Sequence, residues 1–210
     1  MGTLTLTKNK ANLIFAFLIL AASIIILWNA KWTLGDDNQF ITTTAIGLPV
    51  YGWCGSGRFF PLGLFDCSIL LFVPFGNTAI AHLLYSCILM IGSSILFFNL
   101  LKKITGHDYL SSLLSIILLF FSASFLQLHM SCFYPERIIF FLSSIIMFCL
   151  WMAEYRHKTK YYVFAFISSV YMTYTKEPIF VALGIMALVE LVFNEKLRMG
   201  VSDNKKKYFI

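Results

Sequence analysis

The sequence Lys31-Trp-Thr-Leu-Gly-Asp-Asp-Asn-Gln-Phe40 begins the one long interval in which the apolar composition of this chain is interrupted. The interval continues to Asn77 and contains Gly55-Ser-Gly-Arg-Phe-Phe-Pro-Leu-Gly-Leu-Phe-Asp66. A basic start and one apolar run of membrane length precede it, and several apolar runs follow it. The interval therefore separates a first predicted span from all later ones.

The composition is typical of a membrane protein. Of the 210 residues, 59% are hydrophobic and only 12% are charged, whereas soluble domains carry about 25% charged residues. The formal net charge is +6, but the basic residues cluster at the ends of apolar runs, where they orient a chain in a bilayer. The expected partner is therefore a lipid bilayer, and no nucleic acid is expected.

The apolar runs predict an all-α integral membrane protein with a single polytopic domain over residues 1–210. A helix needs about 20 apolar residues to cross about 30 Å of hydrocarbon, and Pro178 favours a break between the last two runs. The first run lacks a small-x-small cleavage site, so we expect it to remain as a span. The six predicted transmembrane helices are 11–30, 79–101, 109–128, 138–153, 161–175 and 179–193, with a large outer loop at 31–78 that contains interfacial helices.

Positive charge predicts the orientation of these spans. If the N-terminus is cytoplasmic and all six runs span, all but four of the 16 lysines and arginines lie on the cytoplasmic side. Counting residues 59–75 as a further span would reverse that bias, and Pro61, Asp66 and Pro74 also argue against it. We therefore expect this segment to be interfacial or re-entrant, with both termini cytoplasmic.

The charged residues left on the outer side are grouped in the first loop and at two junctions between spans. They are the bases Lys31, Arg58, Arg137 and Lys176 and the acids Asp36, Asp37, Asp66, Glu136 and Glu177. Charge at this depth is costly unless it is paired or lines a wet cavity. We expect the outer side to carry the functional site; alternatively, Glu136 with Arg137 and Lys176 with Glu177 form simple interfacial ion pairs.

The adjacent carboxylates Asp36 and Asp37 are the sharpest chemical feature. One of them can act as a general base on a hydroxyl, or the two can share a divalent cation. The alternative is a helix N-cap, because Gly-Asp-Asp-Asn precedes Gln39. Arg58 follows a glycine-rich turn and can bind a phosphate, or it can be an interfacial arginine among aromatic residues.

Two further features have structural interpretations. His129, at the end of the third predicted span, fits a structural hydrogen bond better than a proton shuttle. Cys54 and Cys67 share the polar interval and can form a disulfide if that interval faces an oxidising compartment.

Taken together, these motifs resemble the bacterial polytopic type C glycosyltransferases, especially those that decorate surface polysaccharide. The resemblance covers about residues 11–195. It rests on the paired acids after the first span, on Gly57-Arg58-Phe59-Phe60-Pro61-Leu62 with Asp66, on Tyr134-Pro135-Glu136-Arg137 and on Lys176-Glu177-Pro178. In that superfamily, the first outer loop carries an acidic motif beside membrane-parallel helices, and the donor is a sugar on a polyprenyl phosphate.

The resemblance implies inverting transfer of a sugar from a polyprenyl-phosphate donor to a cell-surface glycan acceptor such as the O-antigen of lipopolysaccharide. The reaction would take place on the outer side of the cytoplasmic (inner) membrane. The implied roles are Asp36 or Asp37 as the base, Arg58, Arg137 and Lys176 as ligands of the donor phosphate, and Asp66, Glu136 and Glu177 as supporting residues. Any divalent cation would be held by Asp36 and Asp37.

Members of that superfamily usually have more spans and a longer chain than this one. Lys205-Lys206-Lys207 is typical of a basic loop before a further span, so the sequence also fits an N-terminal fragment. The alternative function is non-catalytic: a flippase-like carrier of lipid-linked sugar, or an accessory subunit. A carrier needs polar residues deep in its spans, yet the runs 79–101 and 109–128 contain only small hydroxyls, Asn99, His82 and Gln127.

Overall fold

A computed structural model describes residues 6–28, 61–120, 122–132, 134–176, 178–179, 181–185 and 188. Within these ranges the chain is all-helical and has no strand. Its helices are α1 (Lys8–Trp28), α2 (Phe65–Leu70), α3 (Ala79–Ile104), α4 (Tyr109–Phe120), α5 (Ala123–Met130), α6 (Glu136–Arg156) and α7 (Thr159–Thr175).

Three of the described helices, α1, α3 and α6, are long and apolar enough to cross a membrane, and the number rises to four if α4 and α5 form one span. They correspond to the predicted spans 11–30, 79–101 and 138–153. Helix α7 covers the fifth predicted span with 17 residues. Of the predicted outer loop, 31–78, the structure describes residues 61–78. Of the sixth predicted span, 179–193, it describes only residues 179, 181–185 and 188.

The third predicted span, 109–128, is bent: the axis turns by 61° between α4 and α5, which form either one broken span or a re-entrant loop. Ser122 has an extended backbone, and its hydroxyl oxygen accepts a hydrogen bond from the backbone N–H of Phe125 at 3.2 Å. This is N-cap chemistry, which starts a new helix instead of continuing the old one. The fourth span is also longer than predicted, since α6 begins directly after Pro135, whose ring restricts φ to a value suited to a helix start.

The helices pack in two groups that share α3. Helices α1, α4 and α5 lie against one side of α3, where Phe15 stacks on Phe98 with ring centroids 4.3 Å apart. Helices α6 and α7 form an antiparallel hairpin on another side. Gly92 allows α6 to approach closely, because a Cβ at this position would lie 2.6 Å from the ring of Phe141.

The two ends of this bundle differ in charge. At one end, which we call the basic end, the charge of Lys8 acts on Lys102, and the Lys103 ammonium lies 5.0 Å from the ring centroid of Trp151. This contact places the C-terminal ends of α3 and α6 together. The N-terminal ends of α3 and α6 and the C-terminal end of α7 lie at the opposite end, which we call the polar end. There the N–H of Leu62 donates to the carbonyl of Tyr174 at 3.0 Å.

Candidate functional site

The centre of the polar end is the side chain of Arg137, in the first turn of α6, which is only 1% exposed. Its Nη1 donates to the carbonyl oxygens of His82 at 3.2 Å and Ser131 at 3.3 Å. Its Nη2 lies 3.2 Å from the sulfur of Cys67, and its Cζ lies 5.5 Å from the ring centroid of Tyr85. One guanidinium therefore connects α6 with α2, with α3 and with the end of α5.

The second part of the site is the start of α2, where Asp66 precedes Cys67. The negative charge of Asp66 acts on the hydroxyl of Tyr85, so these two side chains lie near each other. The Oδ1 atom of Asp66 and the Nε atom of Arg137 are both buried and have no hydrogen-bond partner in the described part of the chain. The carboxylate and the guanidinium thus keep hydrogen-bonding capacity that the protein does not use.

Cys67 is a free thiol, so it is not paired with another cysteine. Cys54, the partner considered from the sequence, lies outside the described residues. Burial raises the pKa of the Cys67 thiol to about 12; the positive charge of Arg137 opposes the rise and Asp66 adds to it. The thiol therefore stays neutral at physiological pH and does not cancel the charge of Arg137.

The third part of the site is an ion pair between Lys176 and Glu136, which joins the end of α7 to the start of α6. The two side chains are 34% and 40% exposed, so this pair reaches solvent, unlike Arg137. Glu136 also lies in the first turn of α6, where the helix dipole favours a negative charge. Glu136 thus pairs across two helices with Lys176, and not with its sequence neighbour Arg137 as considered from the sequence.

Half of the predicted site residues fall in the described part of the chain, and all of these lie at the polar end. They are Asp66, Glu136, Arg137 and Lys176. The predicted base, Asp36 or Asp37, together with Arg58 and Glu177, lies outside the described residues.

Sequence reasoning missed the contributions of Tyr85, Cys67 and the backbone at His82. A signal for His82 and Tyr85 was available in the sequence. Together with Ser86, they follow the i, i+3, i+4 spacing of one helix face in the first turns of a largely apolar helix. Polar residues so placed in a membrane helix face the protein interior. Cys67 carried no comparable signal.

His129 has the structural role that its position favoured. Its ring is fully buried, and the hydroxyl of Ser86 lies 3.1 Å from Nδ1 and donates to the His129 carbonyl at 2.9 Å. The rings of Phe125 and Phe140 pack around it. The residue fixes α5 against α3.

The two described cations of the polar end can act differently on an anion. Lys176 is accessible and can exchange its partner Glu136 for an incoming phosphate, whereas Arg137 adds positive charge from a buried position. Among the described residues, no cluster of three or more histidine, cysteine or acidic side chains could hold a metal ion. The two aspartates expected to share any divalent cation lie outside those residues.

The chain belongs, by its described helices, to the class of all-helical proteins with helices of membrane-spanning length and apolarity. It matches no protein-family model, no curated protein sequence and no solved structure. What the site does must therefore be inferred from its residues and their geometry.

Proposed function

We propose that this protein is a membrane glycosyltransferase that moves a sugar from a polyprenyl-phosphate donor to a cell-surface glycan on the outer side of a bacterial cytoplasmic membrane. In this proposal the chain has six spans, a large first outer loop and cytoplasmic termini. The observation that supports it most is the gathering of Asp66, Glu136, Arg137 and Lys176 at one end of the bundle, opposite the basic end. By the positive-inside rule, the basic end faces the cytoplasm in this proposal.

The reaction assigned to this site is a single displacement. A carboxylate of Asp36 or Asp37 takes the proton of an acceptor hydroxyl, and that oxygen forms a bond to the anomeric carbon of the donor sugar. The bond from the anomeric carbon to the phosphate oxygen breaks, and the polyprenyl phosphate leaves with the electron pair. One displacement inverts the configuration at that carbon.

In this proposal, Lys176 and Arg137 act on the leaving phosphate in different ways. Lys176 is the cation that can touch it, because its side chain is partly exposed. Arg137 acts through its charge and as a positioning residue, because it is buried and holds α2 in place. Fixed positive charge near a leaving phosphate stabilises the negative charge that develops there in the transition state. Arg58 and Glu177 complete the set in this proposal.

The test is sugar transfer by membranes or purified protein supplied with a polyprenyl-phosphate sugar and the glycan acceptor. Asp36→Asn and Asp37→Asn are compared with Asp108→Asn, which neutralises an aspartate at the basic end. If one member of the pair is the base, its asparagine variant should lose roughly 10²-fold or more in rate, because asparagine cannot accept the proton. The Asp108→Asn control should keep its activity.

Asparagine is the informative replacement because it caps a helix about as well as aspartate, whereas alanine also removes the cap. Full transfer activity in both Asp36→Asn and Asp37→Asn would refute the catalytic assignment and leave the N-cap interpretation. Movement of the lipid-linked sugar across the membrane without any glycoside product would favour the flippase-like carrier. Product formed only when another membrane protein is added would favour the accessory subunit.

A further inference from the structure

The end of α2 and its connection to α3 expose a group of large apolar side chains. Phe72 is 89% exposed and Phe75 is 82% exposed, and Ile69 and Val73 beside them are about half exposed. We call these four residues the apolar turn. Large apolar side chains exposed together in this way mark a surface that is covered in the working protein.

Most of the backbone N–H groups in and beside the apolar turn have partners within the same segment. The N–H groups of Leu71, Phe72 and Val73 donate to carbonyls three residues back, and those of Gly76 and Thr78 do the same. Pro74 has no N–H to satisfy. A non-helical segment can enter the apolar part of a bilayer only if its polar backbone groups are paired within the protein.

Glycine and an uncommon backbone angle keep this turn closed with its phenylalanines outside. A Cβ on Gly76 would lie 1.7 Å from the carbonyl oxygen of Leu70, so no other residue fits there. Phe75 has a φ of 64°, in the left-handed region that residues with side chains seldom occupy. The fold therefore holds the two rings on the outer surface of the turn and does not pack them on its own core.

The apolar turn also continues a surface that a bilayer would cover. Helix α3, which begins directly after it and is a candidate span, exposes Ile80, Leu84 and Ile88 at a spacing of four residues. The sequence contains no charged residue between Asp66 and Lys102. Because the turn and the exposed face of α3 are continuous and uncharged, lipid is the partner that their chemistry fits.

We propose that the apolar turn is a membrane anchor that inserts Phe72 and Phe75 into the leaflet at the polar end of the bundle. Aromatic residues favour the interface between hydrocarbon and head groups. Helix α2 carries the anchor, and the Arg137 to Cys67 contact ties α2 to α6. The anchor thereby fixes the depth of Asp66 and its neighbours relative to the lipid head groups. This inference requires that the chain lies in a membrane, but it does not depend on sugar transfer.

Nitroxide spin labels can test the anchor in the full chain reconstituted in nanodiscs of phosphatidylethanolamine and phosphatidylglycerol. Labels are attached at Phe72→Cys and, separately, at Phe75→Cys. The matched control is His107→Cys, an exposed position in the loop at the basic end. All three are made with Cys54→Ser, and the other cysteines are buried. Collisions with oxygen, which partitions into lipid, are compared with collisions with a water-soluble nickel chelate.

The anchor predicts that labels at 72 and 75 collide mainly with oxygen, while the label at 107 collides mainly with nickel. Two results would overturn it. Labels at 72 and 75 as accessible to nickel as the label at 107 would show that the turn faces water. Labels that are immobile and protected from both reagents would show that a second copy or another protein covers the turn.

Discussion

Replacing Arg137 with glutamine should destabilise the whole polar end, because one side chain holds four elements together there. The change removes the positive charge and two contacts to carbonyl oxygens, of His82 and Ser131, as well as the contact with the Cys67 sulfur. Hydrogen bonds from a charged group contribute about 1.5–3 kcal/mol each, and such contributions do not add fully when they share one side chain. Because the contacts share one side chain, we expect a total loss of about 3–5 kcal/mol in the free energy of unfolding.

The matched control is Arg156→Gln, at the exposed opposite end of the same helix. Surface substitutions of this kind usually change stability by less than about 0.5 kcal/mol. For a chain of this size, 1 kcal/mol corresponds to about 2–4 °C in Tm. Arg137→Gln should therefore lower Tm by about 6–20 °C, and Arg156→Gln by less than about 2 °C.

A thiol-reactive dye measures this difference in detergent or nanodiscs, because Cys67, Cys87, Cys132 and Cys149 are all buried in the folded chain. Light scattering on the same samples separates global unfolding from local exposure of Cys67. If Arg137→Gln melted within about 2 °C of the unmodified protein, Arg137 would contribute less than about 1 kcal/mol. That result would refute its assignment as the residue that holds α2 to the helices.

Three further predictions address topology, the exposed ion pair and a helix cap. Reporters fused at Gly106, His157 and Ser202 should all indicate the cytoplasm, and an outside signal at Ser202 would contradict the predicted hairpin of the last two spans. Lys176→Gln should change the free energy of unfolding by less than about 1 kcal/mol, because its ion pair is partly exposed, yet it should raise the KM for the lipid-phosphate donor; an unchanged KM would remove Lys176 from the site. Hydrogen bonds from Ser111 lower the pKa of Asp108. The ionised carboxylate of Asp108 caps the start of α4. Its contribution to stability is complete at pH values above the ordinary pKa of an aspartate and is lost as the pH falls through the lowered pKa. In thermal melts at neutral and acidic pH, Asp108→Asn should reduce the acid-induced fall in Tm, and an identical fall would contradict the cap.

The long helices were predictable because their signal is local. An uninterrupted apolar run of about 20 residues predicts a span whatever surrounds it, and α1 and α3 were recognised in this way. The run that predicted α6, 138–153, was shorter, and the helix extends beyond it at both ends. The bend between α4 and α5 was missed because apolar residues continue on both sides of Ser122. A single capping serine is a weak signal in sequence, and its hydroxyl bond to Phe125 becomes visible only in the structure.

Which residues meet at the polar end was partly predictable from the sequence, but which residues they contact there was not. Sorting charges by membrane side grouped Asp66, Glu136, Arg137 and Lys176, since charge at that depth has few tolerable positions. The partners are set by three-dimensional contacts between residues as far apart in sequence as Cys67 and Arg137. Adjacent residues of a helix do not face each other. This rule alone predicts that Glu136 and Arg137 have different partners.

Burial of Arg137 explains how a chain with so few charges can hold a polar site at a defined depth. A guanidinium in an apolar bundle is tolerated only where several acceptors surround it, and those acceptors come from α2, α3 and the end of α5. The requirement to satisfy that one group therefore fixes where α2 lies. Since the exposed phenylalanines of the apolar turn follow α2 directly, the same contact determines where they meet the lipid. Moving Arg137 along α6 would displace Asp66 and the anchor together, so the position of one buried charge sets both the composition of the site and its depth.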